Sequence, residues 1–156
     1  MVFIFRRVNS PKYYFYQEHI LMAILGKLGR YTDTGLLLMR VGLGAMMVFH
    51  GYPKLIGGPA KWESIGKAMD NLGVHSYYTA WGAMAAGTEC IGGLLIVLGL
   101  FFRPVSILMM FTMFVAVVHH VRAGDSLGDA SHAVELFFAF LGLIFVGPGK
   151  YSVDKS

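Results

Sequence analysis

The sequence predicts an all-α fold, a four-helix bundle that spans a membrane. Four apolar stretches, at residues 34–52, 77–100, 104–121 and 131–146, approach the roughly 20 residues needed to cross a hydrocarbon layer of about 30 Å. Hydrophobic residues make up 56% of the 156 residues and charged residues only 14%, too few for the surface of an ordinary soluble domain. Ionisable residues nevertheless lie inside the stretches, which indicates a polar interior.

The first 33 residues are predicted to form an N-terminal extension, separate from the transmembrane domain at residues 34–156. The aromatic run at 13–16 differs from the apolar core of a signal peptide, so none is predicted. Residues 13–28 are compatible with an amphipathic helix on the cytoplasmic face of an otherwise partly disordered extension. In the alternative interpretation, translation starts at Met22. Both interpretations fit the sequence.

The connection after the first span opens at Pro53, which is expected to end that helix. Farther along, four apolar residues recur at helical spacing: Trp62, Ile65, Met69 and Leu72. This spacing predicts a short interfacial helix in the first extracytoplasmic loop, with Trp62 at the depth of the lipid headgroups.

The other connections are short. Residues 101–103 join the second and third spans just before Pro104, which suits the first turn of a new helix, so these spans are predicted to be antiparallel neighbours. Asp129 or Ser131 is the predicted cap of the fourth span. That span is expected to stop at the Gly-Pro-Gly sequence of residues 147–149.

The net charge of +4 comes from Lys and Arg residues that flank the spans, where they suit anionic headgroups rather than nucleic acid. If the helices alternate in direction, eight of these residues lie on the side of the termini and four on the other. Positive charge collects in the cytoplasm, so both termini are predicted to be cytoplasmic. The single cysteine, Cys90, excludes an intrachain disulfide.

Small residues mark the faces on which the first two spans are expected to meet. On the second span the stripe is Gly82, Ala86, Glu89 and Gly93, and on the first it is Asp33, Arg40, Gly44, Met47 and Gly51. Because an unpaired charge at this depth costs at least about 2.5 kcal/mol, an ion pair between Arg40 and Glu89 is predicted. It has two interpretations, a structural pair that fixes helix register or a proton or substrate site.

A second polar group is predicted near the extracytoplasmic end, where His50, His119, His132 and Glu135 come from three different spans. His119 is expected to face inward in preference to its neighbour His120. Histidine titrates near neutral pH and can therefore carry protons. The candidate catalytic residues are an ion pair, Arg40 and Glu89, and a proton relay, His50, His119 and Glu135. Histidines that simply face water or headgroups are the alternative.

No metal site is predicted. One His-x-x-Glu pair, His132 and Glu135, lacks the repeated carboxylate and Glu-x-x-His set of a di-iron bundle. Lys54 lies four residues beyond His50, and it either extends that polar face or reaches toward the headgroups.

Several motifs in this order resemble the DoxX family of small bacterial integral membrane proteins. They are LLLMRVGLGAMMVFHGYPKL, GTECIGGLLIVLGLFFRP, a histidine near the end of the third span, and GPGKYSVD. The likeness covers residues 35–154. By this resemblance Arg40, His50, Gly51, Lys54, Glu89, Gly93, Arg103 and the turn at 147–149 occupy motif positions. Phe102 departs from the threonine that the family tends to have there.

The resemblance implies a four-helix protein of the bacterial inner membrane, linked to thiosulfate:quinone oxidoreductase subunits and to defence against quinone or thiol stress. The leading hypothesis is therefore an accessory or quinone-facing component of redox metabolism, with a partner subunit in the membrane or cytoplasm and quinone as the cofactor. One alternative is a non-catalytic scaffold that recruits a partner enzyme. A small-solute transporter is a third hypothesis, and it would require a homo-oligomer.

Overall fold

Helices account for most of the part of the chain that the structure describes, residues 26–155. In this computed structural model the helices are α1 (Thr32–Ile56), α2 (Gly58–Gly66), α3 (Tyr78–Gly87), α4 (Gly93–Leu98), α5 (Phe102–Ala123) and α6 (Leu127–Val146). A 3-10 helix, Lys67–Leu72, follows α2, and a π-helical turn, Thr88–Gly92, joins α3 to α4.

Four helical segments, Gly26–Ile56, Tyr78–Leu98, Phe102–Ala123 and Leu127–Val146, are long and apolar enough to cross a membrane. The predicted all-α, four-span fold is confirmed. The predictions for residues 1–25, including the amphipathic helix and the alternative start, lie outside the described residues. The N-terminal extension and transmembrane domain therefore stay a predicted division.

Helix α1 continues through Pro53 and ends at Ile56, so the prediction that this proline ends the helix is wrong. A proline inside a helix removes one backbone hydrogen bond and can kink the helix without ending it. The carbonyl of Lys54, in that last turn, accepts a hydrogen bond from Trp62 Nε1 at 3.0 Å. Because α1 extends to Ile56, Lys54 belongs to the first span rather than to the loop.

A short helix is present in the first loop as predicted, α2, and it packs lengthwise against α3. Met69 and Leu72 of the predicted stretch lie in the 3-10 helix that follows it, and its interfacial position stays a prediction. Gly66 lies on the backbone of Tyr78, and Gly82 lies on the backbone of Trp62. A side chain at either glycine would overlap the facing backbone, so two close approaches fix the antiparallel pairing. Together with the 3-10 helix, α2 forms a wall along one side of the bundle.

Glycines also set the contact between α1 and the second span. A methyl group at Gly44 would lie 2.5 Å from the Gly93 carbonyl oxygen, and Gly51 packs on the backbone of Glu89 and Cys90. This part of the predicted small-residue contact is confirmed, whereas Gly82 meets α2 instead of α1. The apolar core brings together all four spans: Leu36, Met47, Ile96, Phe102, Val105, Met109, Met113, Leu136, Phe140 and Leu143.

The last two helices begin earlier than predicted. Helix α6 starts at Leu127 because Ser126 is its N-cap, and Ser126 and Asp129 form a reciprocal capping box. The predicted start at residue 131 and the caps Asp129 and Ser131 are therefore wrong, although Asp129 contributes to the capping box. Helix α5 starts at Phe102, two residues before Pro104.

After α6 the chain folds back over the end of the bundle at which α1 begins. The backbone N–H groups of Val153 and Asp154 donate to the carbonyls of Leu98 and Gly99, at 3.1 and 2.9 Å. The Asp154 carboxylate accepts hydrogen bonds from the first N–H groups of α5, at Phe101 and Phe102. The C-terminal segment, residues 147–155, thus caps α5 and closes this end of the bundle.

Candidate functional site

Glu89 is buried, with 3% of its surface exposed, and lies in the π-helical turn between α3 and α4. Both of its carboxylate oxygens accept hydrogen bonds from Lys54 Nζ at 2.7 Å. The structure therefore pairs Glu89 with Lys54, and the predicted pair between Arg40 and Glu89 is wrong.

Local packing explains the choice of partner. Gly51 has no side chain, so α1 approaches the backbone at Glu89 and Cys90 directly. Lys54 follows three residues later and shares that face of α1. Glu89 lies in a turn with one residue more than an α-helical turn, a feature often found at functional sites.

Arg40 is completely buried, but at the end of the bundle that the C-terminal segment closes. Its Nη2 donates to the Tyr151 carbonyl, while its Nε and Nη1 have no hydrogen-bond partner among the described residues. Gly99 has a positive φ of 66°, and a side chain there would collide with the Arg40 guanidinium. This geometry ties Arg40 to the C-terminal segment and separates it from Glu89.

A cavity of about 320 Å³ lies between the α2 wall, the α3 segment and α5. Lys54 and Glu89 line it, and so do His119 and His120 near the far end of α5. Most of the remaining lining is apolar or weakly polar: Ile65, Met69, Trp81, Met84, Ala85, Thr88, Leu108, Phe111, Thr112, Val115 and Ala116. The volume is within the range of pockets that hold small molecules, about 300–1,000 Å³.

Both neighbouring histidines of α5 border this cavity. The His119 side chain is exposed and His120 is half-buried, so the prediction that His119 faces inward in preference to His120 is wrong. His119 Nδ1 lies 3.2 Å from Asn71 Nδ2, on the 3-10 helix. His120 Nδ1 lies 2.8 Å from a carboxylate oxygen of Asp125. The two rings stand 6.0 Å apart, each held by a different partner.

The remaining predicted site residues lie elsewhere. His50 of α1 contacts His132 of α6, with ring centroids 5.4 Å apart, and both side chains are exposed. Glu135 is also exposed, and none of the three lines the cavity. The predicted polar group therefore divides into a His50–His132 pair and the cavity histidines. Within residues 26–155 no cluster of three His, Cys, Asp or Glu side chains is arranged to hold a metal ion.

The comparison with known families agrees with this architecture. The family model for DoxX matches residues 35–121. The chain belongs to the DoxX family. It is 32% identical over 140 residues to the inner membrane protein YphA of Escherichia coli strain K12, a match that covers 81% of this chain and 96% of YphA. No solved structure shows a significant match.

The match to YphA and the four apolar helices identify this DoxX protein as a multi-pass inner-membrane protein. The matched DoxX region contains Arg40, Lys54, Glu89 and His119 but not Glu135. The cavity and its ion pair thus belong to the part of the chain that carries the family pattern.

Sequence reasoning missed three features of this region: the pairing of Lys54, the contact of Asn71 and the π-helical turn. Lys54 could have been found as the partner of Glu89 if α1 had been extended through Pro53. Asn71 carried no signal, because its contact with His119 depends on how the 3-10 helix packs against α5. Glycines flank the π-helical turn, but they do not by themselves predict it from the sequence.

Proposed function

We propose that this protein is a quinone-facing component of membrane redox metabolism, and that the cavity above the Lys54–Glu89 pair is its quinone site. The observation that supports the proposal is a mostly apolar cavity, inside a membrane bundle, lined by one ion pair whose carboxylate is buried. Apolar walls suit the ring, and a few placed polar groups suit its carbonyl oxygens. The pair would bind and orient the ring rather than serve only to hold two helices together.

The remaining hydrogen-bonding capacity of the pair supports this role. Lys54 has three N–H hydrogens, of which two point at Glu89. The third remains for an acceptor in the cavity, and the Lys54 side chain is 36% exposed. Glu89 fixes the position of the ammonium group without consuming all of its donors.

Reduction of a quinone to a quinol requires two electrons and two protons. In this proposal two thiols join as a disulfide and release two electrons and two protons, directly or through a partner subunit; alternatively, two thiosulfate ions join as tetrathionate and release two electrons, and the protons come from water. Lys54 and His119 both line the cavity and would donate hydrogen bonds to the ring. His50 and Glu135 drop out of the proposed relay because they do not line the cavity, and Arg40 instead anchors the C-terminal segment.

Membranes that contain the protein provide the test, with anaerobic quinone reduction followed by ultraviolet absorbance and with thiosulfate and simple thiols as donors. Glu89→Gln should assemble normally and lose most of the activity. The matched control is Glu63→Gln, on the exposed surface of α2, where Glu63 pairs only with Lys67 at 3.3 Å. Equal activity in the Glu89 variant and the control would remove Glu89 from the mechanism.

The scaffold hypothesis gives a different result in the same experiment. A scaffold would support no quinone reduction in any variant, even after its partner had been recovered by pull-down and added back. It would instead depend on Arg40 and the C-terminal segment, because those groups close the end of the bundle predicted to face the cytoplasm. Recovery of the partner by wild type but not by a chain truncated after Lys150 would favour the scaffold.

A further inference from the structure

Asn71 contacts two groups through one nitrogen atom. Its Nδ2 donates to the Ala68 carbonyl at 3.0 Å and lies 3.2 Å from His119 Nδ1. A carbonyl oxygen can only accept, so the amide nitrogen rather than the amide oxygen must face Ala68. The orientation of the Asn71 amide is therefore fixed by the backbone of its own helix.

This orientation determines the state of the His119 ring. An NH₂ group can only donate, so Nδ1 of His119 must accept. In a neutral imidazole one nitrogen accepts and the other carries the proton. The proton of His119 therefore resides on Nε2, the nitrogen that does not face Asn71.

The charged and titratable groups around His119 leave this assignment in place. His120 is occupied by Asp125 at 2.8 Å. Asp70, next to Asn71 in sequence, contacts Tyr78 and His75. Lys54 and Glu89 also line the cavity but bind each other. Within the described residues, Asn71 is thus the hydrogen-bond partner of His119 Nδ1.

We propose that Asn71 is a positioning residue that holds His119 as an Nε2–H donor, so that the cavity presents donors from both Lys54 and His119. This inference rests on the proposed function. A quinone offers two carbonyl acceptors and matches both donors directly. A quinol must turn both hydroxyl hydrogens away to do the same. The cavity therefore binds the oxidised ligand more tightly, by about threefold to tenfold, the value of about one hydrogen bond.

The tautomer can be read without any ligand. Protein labelled with ¹⁵N-histidine and reconstituted in lipid bilayers is studied by nitrogen NMR at about pH 8.5, where an ordinary imidazole is neutral. The chain has six histidines, so the signals of His119 are identified by their loss in His119→Gln. Wild type should show Nε2 protonated. Asn71→Asp replaces the donor by an acceptor and should move the proton to Nδ1, whereas Asn71→Leu should give a mixture.

Ligand preference is measured separately by quenching of tryptophan fluorescence with a short-chain ubiquinone and its quinol. Trp81 lines the cavity and Trp62 does not, so Trp81→Phe shows which signal reports the site. Wild type should prefer the quinone, and Asn71→Asp should abolish or reverse the preference.

The two measurements test different parts of the proposal, so their negative outcomes are distinguishable. A wild-type signal with Nδ1 protonated, or an Asn71→Asp spectrum identical to wild type, would overturn the role of Asn71. The expected tautomer with equal binding of quinone and quinol would overturn the inferred specificity. The expected tautomer with no binding of either form would refute the proposed function and leave the tautomer assignment standing.

Discussion

Removal of the Lys54 ammonium group tests the central ion pair directly. In Lys54→Met the Glu89 carboxyl, whose side chain is only 4% exposed, loses both of its hydrogen bonds and stays buried. Breaking a buried pair from one side costs about 3–5 kcal/mol. Because the Lys54 side chain is 36% exposed and its charge is partly screened, the lower end, about 3 kcal/mol, is expected.

The free energy of unfolding is measured by titration with a denaturing detergent in mixed micelles and followed by circular dichroism. The matched control is Lys67→Met, which removes the same group from an exposed pair with Glu63, where the side chains are 57% and 51% exposed. Such surface pairs contribute at most about 1 kcal/mol. The double variant Lys54→Met/Glu89→Leu should recover most of the loss, because an apolar pair leaves no buried charge. A Lys54→Met loss no larger than that of the control would refute this reasoning.

Three further predictions concern other contacts. A double-mutant cycle between Arg40→Met and Glu89→Gln should give a coupling energy below about 0.5 kcal/mol, since the two side chains share no contact. A larger coupling energy would support the ion pair between Arg40 and Glu89 that the sequence predicts. Gly51→Ala should lower the free energy of unfolding by about 1–3 kcal/mol through overpacking, whereas Gly42→Ala, with nothing within 4 Å of the added methyl, should change it by less than about 1 kcal/mol; equal effects would contradict the close approach. A hydrogen bond from a tyrosine hydroxyl, and then one from a histidine, hold the pKa of Asp70 below its ordinary value of about 3.9. This contribution is fully present above the ordinary value and is lost as the pH falls through the lower folded value. Hydrogen-exchange protection of the surrounding loop should therefore decrease below about pH 4 in wild type but not in Asp70→Asn.

The spans could be predicted because the length and apolarity of a helix depend on consecutive residues. The ends were less predictable, since they depend on groups that are not adjacent. Helix α1 continues through Pro53 to Ile56. Helix α5 begins early because Asp154, about fifty residues later in the chain, accepts hydrogen bonds from the N–H groups of Phe101 and Phe102.

The site was predictable in composition but not in pairing. Glu89 and His119 were identified from their positions within the spans, whereas Lys54 was placed outside the first span by the assumption that Pro53 ends α1. The Arg40 assignment failed because its partner was sought on the facing stripe of the second span, without knowledge of the C-terminal segment. The carbonyl that binds Arg40 belongs to Tyr151, and no periodicity in the sequence indicates that contact.

The contact between Arg40 and Tyr151 also has a consequence for the order in which the protein is made. The two residues are 111 positions apart, so at roughly 5–20 residues per second the ribosome needs about 6–22 s to supply the acceptor after it has added the arginine. During that interval the guanidinium lacks the carbonyl that it contacts in the finished bundle. A chain truncated before Tyr151 never receives this acceptor. Burial of Arg40 with its hydrogen bond is therefore a late step in folding, although the arginine itself belongs to the first span.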